Sequence, residues 1–405
     1  MNTAAAYAMD IRAVHRPQKF APLPEDFPFT LETARQVRAF HRTIPGYVPT
    51  PLVSLERLSK LLGVAGLYVK DESARFDLNA FKVLGGSWAA ARYLGQRLGL
   101  GEGELTFSRL TREDWTGLTL VTATDGNHGR GLAWTAQKLG IGCVVLMPAG
   151  SARERLEHIC ALGARAEITD RNYDDTVRLA AQYAREHGGV LMQDTTVSGG
   201  PGYEEIPTHI MQGYMTMADE AAEQLPAPPT HVFLQAGVGA MAGAVTGYLA
   251  ARYGEKRPKV IVVEPDRADC VFRTALADDG QLHAATGSLS TMMAGLACGE
   301  PCTVGWRVLS RWADHFVSMP DHVAAAGMRV LGAPVLGDGR IVSGESGAAG
   351  FGLALLALSR TELAPLRERL GLDQNSRVLC LSTEGATDQA NYRRVVWGLD
   401  VDDLI

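Results

Sequence analysis

A lysine in an apolar setting is the first residue whose type and position could do chemistry. Lys82 ends the segment Asn79-Ala80-Phe81-Lys82 and is followed closely by Gly85-Gly86. A lysine among apolar residues most often keeps its amine at the surface and buries only its stem. Desolvation can instead make the amine a nucleophile that forms a Schiff base with a carbonyl group. Residue type alone leaves both interpretations of Lys82 open.

A polar loop with glycine at two positions is the second candidate. It reads Asp125-Gly126-Asn127-His128-Gly129, after a strand-like run and before a helix-like one. An aspartate that caps a helix would explain part of this pattern. Asp, Asn and His together, however, offer more hydrogen-bonding and proton-transfer chemistry than a cap requires, so we expect a functional loop.

A glycine-rich turn at 237–243 is the third candidate, with the sequence GVGAMAG. Glycines let backbone N–H groups converge, and the helix that follows presents the positive end of its dipole, so the turn could bind a phosphate. It lacks the Lys-Ser/Thr ending of a nucleotide-triphosphate loop and fits a dinucleotide fingerprint poorly. A tight packing turn is the alternative. The residues of the predicted phosphate cradle are Gly237, Val238, Gly239, Ala240, Met241 and Ala242.

The elements that must position these groups are short apolar runs separated by helix-like segments. The strands are predicted at 66–72, 118–123, 143–147, 166–169, 189–193, 231–235, 260–264 and 377–382, with helices at 129–139 and 174–186 among others. Continuously apolar strands that alternate with helices indicate parallel sheets buried on both faces. We therefore expect a doubly wound α/β architecture, in which ligands bind beyond the carboxyl ends of the strands.

Composition limits the possible partners and compartments. The chain has 405 residues and a net charge of −6, which gives no basic surface for nucleic acid. No run reaches the roughly 20 apolar residues of a membrane helix, and the N-terminus lacks a signal-peptide pattern. The six cysteines have no metal-ligand spacing, so no metal is expected, and a reducing cytoplasm is the simplest interpretation. A pairing among Cys270, Cys298 and Cys302 is left open.

A phosphate cradle, a Schiff-base lysine and an asparagine-bearing loop together suit pyridoxal 5′-phosphate. The sequence resembles the fold-type II pyridoxal-phosphate enzymes, which include serine/threonine dehydratases and the tryptophan synthase β subunit, over about residues 47–397. The segments that carry the resemblance are GYVPTPL (46–52), VKDESARFDLNAFKVLGG (69–86), TATDGNHGRGLAW (122–134), NYDDTVRL (172–179), LQAGVGAMAGAV (234–245), VEPDRADC (263–270), MAGLACGEP (293–301), SGESGA (343–348) and STEGATD (382–388).

The resemblance implies two doubly wound domains with mostly parallel sheets and the cofactor in the cleft between them. The expected limits are an N-terminal arm at 1–45, a large cofactor-binding domain at 46–88 and 206–405, and a small domain at 89–205. It also implies a homodimer that acts in amino-acid catabolism.

The resemblance further assigns roles to single residues. Lys82 would hold the cofactor, Asn127 would hydrogen-bond its phenolic oxygen, and Ser382 would face its pyridine nitrogen. Thr383 or Glu384 could take the place of Ser382, and a carboxylate there would change the electronics of the ring.

One departure from the dehydratases bears on the substrate. They usually carry Ser or Thr at the position of Asp125, in the loop that binds the substrate carboxylate. An anionic side chain there would repel a carboxylate and suits proton transfer or a second ammonium. The resemblance is closest to the branch that eliminates ammonia from D- and L-2,3-diaminopropionate, with Lys82, Asp125 and Asp194 as catalytic residues. A serine/threonine dehydratase and a non-catalytic pyridoxal-phosphate-binding homologue are the alternatives.

Overall fold

Two sheets of unequal size form the framework of the protein. The computed structural model describes residues 3–16, 21–101, 103–124, 126–195 and 204–398. The strands are β1 (Ala5–Ala6), β2 (Arg12–His15), β3 (Leu52–Ser54), β4 (Gly66–Asp71), β5 (Thr119–Ala123), β6 (Gly142–Met147), β7 (Arg165–Ile168), β8 (Val190–Leu191), β9 (His231–Gln235), β10 (Lys259–Pro265), β11 (His315–Met319) and β12 (Arg377–Ser382).

Helices connect and cover these strands. They are α1 (Leu31–Arg42), α2 (Glu56–Leu62), α3 (Val83–Leu98), α4 (Phe107–Leu110), α5 (Asn127–Leu139), α6 (Arg153–Cys160), α7 (Tyr173–His187), α8 (Glu205–Gln224), α9 (Ala240–Tyr253), α10 (Cys270–Ala277), α11 (Thr303–Trp312), α12 (Asp321–Gly332), α13 (Ala349–Ser359), α14 (Ala364–Leu370) and α15 (Gln389–Trp397).

The large sheet has eight strands in the order β1-β2-β11-β10-β9-β12-β4-β3. Its centre, from β11 to β4, is parallel, and β2 and β3 add antiparallel strands at the two sides. All five residues of β9 and of β11 are buried, as expected for strands covered by helices on both faces. The N-terminal arm thus contributes two strands to this sheet.

The small sheet is parallel throughout, in the order β7-β6-β5-β8. The chain leaves the large sheet after β4 and returns to it at β9, so the small sheet is an insertion between two parts of the large one. This order agrees with the discontinuous large domain expected from the sequence, whose limits stay a prediction.

The eight predicted strands and the two predicted helices are all present, most of them to within two residues. The prediction is weakest at β8, where only Val190 and Leu191 form strand pairs within the predicted run 189–193. The fold is therefore the predicted doubly wound α/β arrangement. In contrast, β11 is not predicted, because His315 and Ser318 interrupt the apolar pattern of a strand that is nevertheless fully buried.

Membrane and cysteine chemistry can be checked on the described residues. Within them no helix is both long and apolar enough to cross a membrane. All six cysteines are described and none forms a disulfide, so the pairing left open among Cys270, Cys298 and Cys302 does not occur in the structure.

The close contact between α3 and α8 depends on glycine. An added Cβ at Gly85 would lie 2.8 Å from Ile210 Cγ2 and 2.9 Å from the Ile210 carbonyl oxygen. At the next residue, Gly86, the nearest atoms would be at an ordinary 3.6 Å. Lys82 is the residue directly before α3, so this helix contact also fixes the start of the lysine segment.

We expect Gly85→Ala to lower the free energy of unfolding by about 1–3 kcal/mol, because overpacking would force the two helices apart. Gly86→Ala, on the same helix, should leave stability unchanged or raise it by up to about 1 kcal/mol, because alanine favours helix. Urea unfolding of the two variants beside the parent chain measures both effects. Equal behaviour of the two alanine variants would contradict the packing argument.

Candidate active site

The cleft that collects the candidate residues lies where the two sheets present their carboxyl ends. It is lined by the segments after β4, β5, β9 and β12, together with the loop ahead of α11. This is the edge of a doubly wound sheet at which ligands bind. The lining residues include Phe81, Lys82, Thr124, Asn127, His128, Tyr173, Asp194, Gln235, Gly237, Val238, Gly239, Ala240, Met241, Cys298, Ser346, Thr383 and Glu384.

Lys82 and Asp194 form an ion pair inside this cleft. The Lys82 Nζ donates to Asp194 Oδ2 at 2.5 Å, and the two side chains are 21% and 3% exposed. Burial alone would raise the pKa of Asp194, but the Lys82 ammonium and His128 outweigh it and hold that pKa below its usual value. The amine is therefore desolvated, directed into the cleft and paired with a carboxylate that stays ionised, a setting for nucleophilic or proton-transfer chemistry rather than for a surface lysine.

The backbone that carries Lys82 is held by the loop after β12. The Phe81 N–H donates to the Thr383 carbonyl at 3.1 Å, and the Gly385 N–H donates to the Asn79 carbonyl at 3.0 Å. Asn79 itself has a φ of +59°, a conformation that asparagine tolerates better than most residues. The asparagine of the NAFK motif thus turns the chain so that the lysine enters the cleft.

A cluster of four charged side chains lies behind this segment, and we call it the buried ion cluster: Lys70, Glu72, Arg75 and Glu220. Each is at most 1% exposed. Glu220 Oε2 accepts from Lys70 Nζ at 2.7 Å and from Arg75 Nη2 at 2.8 Å, and Arg75 Nε donates to Glu72 Oε2 at 2.9 Å. The cluster is neutral overall, and it ties β4 and the turn after it to α8.

The glycine-rich turn lies at the N-terminus of α9 and lines the same cleft as Lys82. Gly239 is the N-cap residue of this helix, with a φ of +88°, and no side chain in the described part of the chain bonds to the first N–H groups of the helix. An added Cβ at Gly237 would lie 3.1 Å from Cys298 Sγ and 3.2 Å from the Gly295 carbonyl oxygen, so a side chain there would fit only if these neighbours moved by a few tenths of an ångström. Residues 237–241 line the cleft, and Ala242 is buried one residue beyond. Free N–H groups and the helix dipole make this end suitable for a phosphate.

The Asp-Gly-Asn-His-Gly loop borders the cleft from the small sheet. The Asn127 amide donates to the Glu384 carboxylate, and His128 Nε2 lies 2.8 Å from the Met192 carbonyl oxygen. Asp125, the predicted second catalytic carboxylate, lies outside the described residues, while Gly126 and Thr124 on either side of it are described.

Ser382 occupies a different environment from the rest of the predicted set. Its hydroxyl donates to Ser343 Oγ at 2.8 Å, it is 1% exposed, and it is not among the residues that line the cleft. The next two residues, Thr383 and Glu384, do line the cleft. Gln235 Nε2 donates to Thr383 Oγ1 at 2.9 Å, and the Ser346 N–H donates to Glu384 Oε1 at 3.0 Å. The role of Ser382 stays a prediction, and the geometry favours its two neighbours.

Tyr214 is a residue of this site that sequence reasoning missed. It lies on α8, fully buried, with its ring centroid 4.7 Å from that of Phe81 and 5.6 Å from Lys82 Nζ. It belongs to no motif and is separated from Lys82 by more than a hundred residues of sequence. Only the packing of α8 on α3 brings the two together, so no sequence signal could have found it.

The charge distribution of the cleft indicates what it can hold. A lysine amine can form a Schiff base with a carbonyl carbon. The N-terminus of a helix whose N–H groups have no side-chain partner favours an anion. A phosphorylated aldehyde meets both requirements, and an amide or carboxylate beside it could contact further polar atoms of such a molecule. The fold and the cleft therefore define an α/β enzyme of the class that uses a cofactor of this kind.

The particular family follows from the comparison with known proteins. Residues 44–383 match the model of the family described as pyridoxal-phosphate dependent enzyme. The chain belongs to this family, its fold is fold type II, and its cofactor is pyridoxal 5′-phosphate. The predicted family, fold class and cofactor are thereby confirmed.

Among the proteins compared, the relatives and solved structures of high sequence similarity are diaminopropionate ammonia-lyases. The diaminopropionate ammonia-lyase of Escherichia coli (strain K12) is 50% identical over 372 residues, which cover 91% of this chain and 92% of that protein. The holo diaminopropionate ammonia lyase of Escherichia coli has a TM-score of 0.88 at 47% identity, with 98% of both chains covered. A complex of that lyase with an aminoacrylate-PLP azomethine reaction intermediate has a TM-score of 0.86 at 46% identity, covering 97% of this chain and 98% of that one.

Proposed function

We propose that this protein catalyses the α,β-elimination of D- and L-2,3-diaminopropionate to pyruvate and two molecules of ammonia. The observation that carries the proposal is the Lys82–Asp194 pair, an amine and an ionised carboxylate buried in a cleft that also presents an uncapped helix end. Identity of 50% to a diaminopropionate ammonia-lyase, spread over nearly the whole length of both chains, supports the choice of substrate.

The side chains of the cleft supply the proton transfers and the orientation. When bound, pyridoxal 5′-phosphate supplies an electron sink for negative charge at the substrate Cα. Lys82 Nζ, in its neutral form, would remove the Cα proton of one isomer. Loss of the β-amine as ammonia needs a proton donor, and Asp194 and Asp125 are the candidates. Asp194 would first take that proton from the Lys82 ammonium, which its Oδ2 contacts.

Holding the cofactor falls to residues on three other segments. The amides of Gly237, Gly239 and Met241, with their neighbours Val238, Ala240 and Ala242, would hold the phosphate at the start of α9. Asn127, whose amide donates to Glu384, would hydrogen-bond the phenolic oxygen. At the pyridine nitrogen, Thr383 and Glu384 are better placed than Ser382, because they line the cleft.

The cleft also fits a substrate that carries two ammonium groups. Asp194 and Glu384 are buried carboxylates on its wall, each 2% exposed, and the sequence adds Asp125 to the same loop as Asn127. Buried carboxylates favour cationic partners and disfavour a neutral β-hydroxyl. A diamino acid therefore suits this site better than serine or threonine.

Two bases on opposite sides of the bound substrate would accept both isomers. With Lys82 assigned to one face, Asp125 is the candidate for the other, and its carboxylate would remove the Cα proton of the D isomer. We expect Asp125→Asn to lower kcat for the D isomer by about 10²- to 10⁴-fold and to affect the L isomer far less. Steady-state kinetics with each isomer measures the difference. Asp170→Asn, at an exposed aspartate, is the control, and equal losses for the two isomers would reject the scheme.

The test of the overall function counts products. The purified protein, loaded with pyridoxal 5′-phosphate, is given D- or L-2,3-diaminopropionate, and ammonia and pyruvate are measured together. We expect two ammonia per pyruvate from both isomers. Serine or threonine as the better substrate, with one ammonia per oxoacid, would support the dehydratase alternative, and absence of all turnover would support a non-catalytic homologue.

We also infer a cytoplasmic homodimer that acts in amino-acid catabolism. The resemblance to the fold-type II family supports the dimer, and six cysteines without disulfides are compatible with a reducing compartment. Analytical ultracentrifugation of the loaded enzyme should give twice the chain mass of 43.4 kDa, and a monomer would contradict the inference.

A further inference from the structure

The hydroxyl of Tyr214 lies close enough to the Lys82–Asp194 pair to interact with both side chains, but its geometry does not complete a hydrogen bond to either. Burial raises the pKa of this phenol, Lys82 lowers it and Asp194 raises it again, so both members of the pair act on the hydroxyl. Among the described residues, however, its oxygen has no hydrogen-bond partner of normal geometry. A buried hydroxyl without a partner is unfavourable, which indicates a second state of the site in which this hydroxyl is bonded.

The Asp194 carboxylate requires a new hydrogen-bond donor when the Lys82 amine binds the cofactor. In the structure Asp194 is 2% exposed, and its Oδ2 accepts from Lys82 Nζ at 2.5 Å. Once Lys82 is engaged by the cofactor, this carboxylate loses an ion-pair partner in a buried place, which is unfavourable unless another donor replaces the amine. Of the neighbouring groups, His128 already contacts the Met192 carbonyl oxygen through Nε2. If a neutral imidazole uses its one N–H in that bond, it has no second N–H to donate to Asp194.

We propose that Tyr214 is the positioning residue of Asp194: its hydroxyl donates a hydrogen bond to the carboxylate when Lys82 is engaged by the cofactor. In this arrangement Tyr214 makes separation of the ion pair easier and keeps the Asp194 carboxylate oriented when the cofactor binds. The glycine contact between α3 and α8 explains why the phenol lies this close, since Gly85 admits the Tyr214 ring edge where any side chain would exclude it. The inference rests on the proposed role of Lys82, but not on the identity of the substrate.

The experiment compares Tyr214→Phe with Tyr248→Phe. Tyr248 is an equally buried phenol on α9, but its hydroxyl donates to Asp219 Oδ1 at 2.8 Å, and the charged groups that act on it are Asp219 and Arg252 rather than the Lys82–Asp194 pair. Equilibrium titration of each purified, cofactor-free chain with pyridoxal 5′-phosphate, followed by visible absorbance, gives the dissociation constant. Thermal unfolding of the same cofactor-free chains gives their stability.

We expect a crossed result, in which one variant loses affinity for the cofactor but not stability, and the other loses stability but not affinity. Tyr214→Phe should bind pyridoxal 5′-phosphate about 10- to 100-fold more weakly, the effect of one hydrogen bond to a charged group, with no loss of stability in the cofactor-free chain. Tyr248→Phe should lower the unfolding temperature and keep the parent affinity. Parent affinity in Tyr214→Phe, or a loss of stability matching that of Tyr248→Phe, would overturn the proposal.

The pH dependence of the affinity separates positioning from mere packing. The titratable groups that act with Asp194 are Lys82, His128, Tyr214 and Cys302. A protonated Asp194 no longer needs a donor, so the affinity deficit of Tyr214→Phe should shrink as the pH falls. A deficit that is independent of pH would contradict the proposal. Failure of diaminopropionate turnover with the crossed result intact would refute the substrate assignment and leave this inference standing.

Discussion

Replacement of Lys82 by alanine should abolish the visible absorbance of the bound cofactor and lower the rate of elimination by about 10³-fold or more. The reason lies in the geometry of the cleft, where the Lys82 amine is desolvated and paired with Asp194. Removing the amine deletes the covalent partner of the cofactor and a base at Cα in one step. Absorbance of the purified protein and kinetics with both isomers measure the two losses separately.

Lys60→Ala provides the matched control for this variant. Lys60 is an exposed lysine on α2, outside the cleft, so its loss should leave absorbance and turnover unchanged. A Lys82→Ala protein that keeps the parent spectrum would refute the assignment of Lys82. Loss of turnover with an unchanged spectrum would show that Lys82 is a base without being the covalent partner.

The sequence predicts the framework of this protein better than the details of its site. Most of the eight predicted strands are predictable because they are buried apolar runs, while β7 is mostly exposed and β8 is half-buried. Three motifs fall at strand ends, where ligands bind in doubly wound sheets. What the sequence cannot predict depends on packing between distant segments. Tyr214 reaches Lys82 only because α8 lies against α3, and Glu220 reaches Lys70 across 150 residues of sequence.

Ser382 illustrates the same limit at the scale of one residue. Alternate side chains of a strand point to opposite faces, so the last residue of β12 and the next one, Thr383, differ in what they contact. Ser382 bonds to Ser343 inside the protein, while Thr383 and Glu384 follow the strand into the cleft. A resemblance between motifs places the segment correctly, but only the register of the strand decides which side chain faces the ligand.

Substitution of Glu220 by glutamine should lower the free energy of unfolding by about 3–5 kcal/mol, the usual loss when one partner of a buried ion pair is removed. Glutamine keeps the size of the side chain but removes the charge that balances Lys70 and Arg75. Glu72 would then be the only anion left in the buried ion cluster, against two buried cations. Urea unfolding measures the loss, and turnover should fall as well, because the cluster anchors the turn that leads to Lys82.

The matched control lies three residues away on the same helix. Glu223 pairs with Arg38 Nη1 at 2.7 Å, but its side chain is 54% exposed, so Glu223→Gln should cost no more than about 1 kcal/mol. Equal losses for the two glutamine variants would show that burial does not decide the strength of these pairs here.

Acid should remove the difference between the parent chain and Glu220→Gln. Burial opposes ionisation of Glu220, but Arg75 and Lys70 outweigh it and lower its pKa to about 2, against about 4.3 in the unfolded chain. A group whose pKa is lowered by folding stabilises the protein above its unfolded pKa, and that stabilisation is lost as the pH falls through its folded pKa. The parent's advantage should therefore be complete above about pH 5 and decline between about pH 4.3 and 2. An advantage that stays constant over that interval would mean that Glu220 does not carry the charge on which the cluster depends.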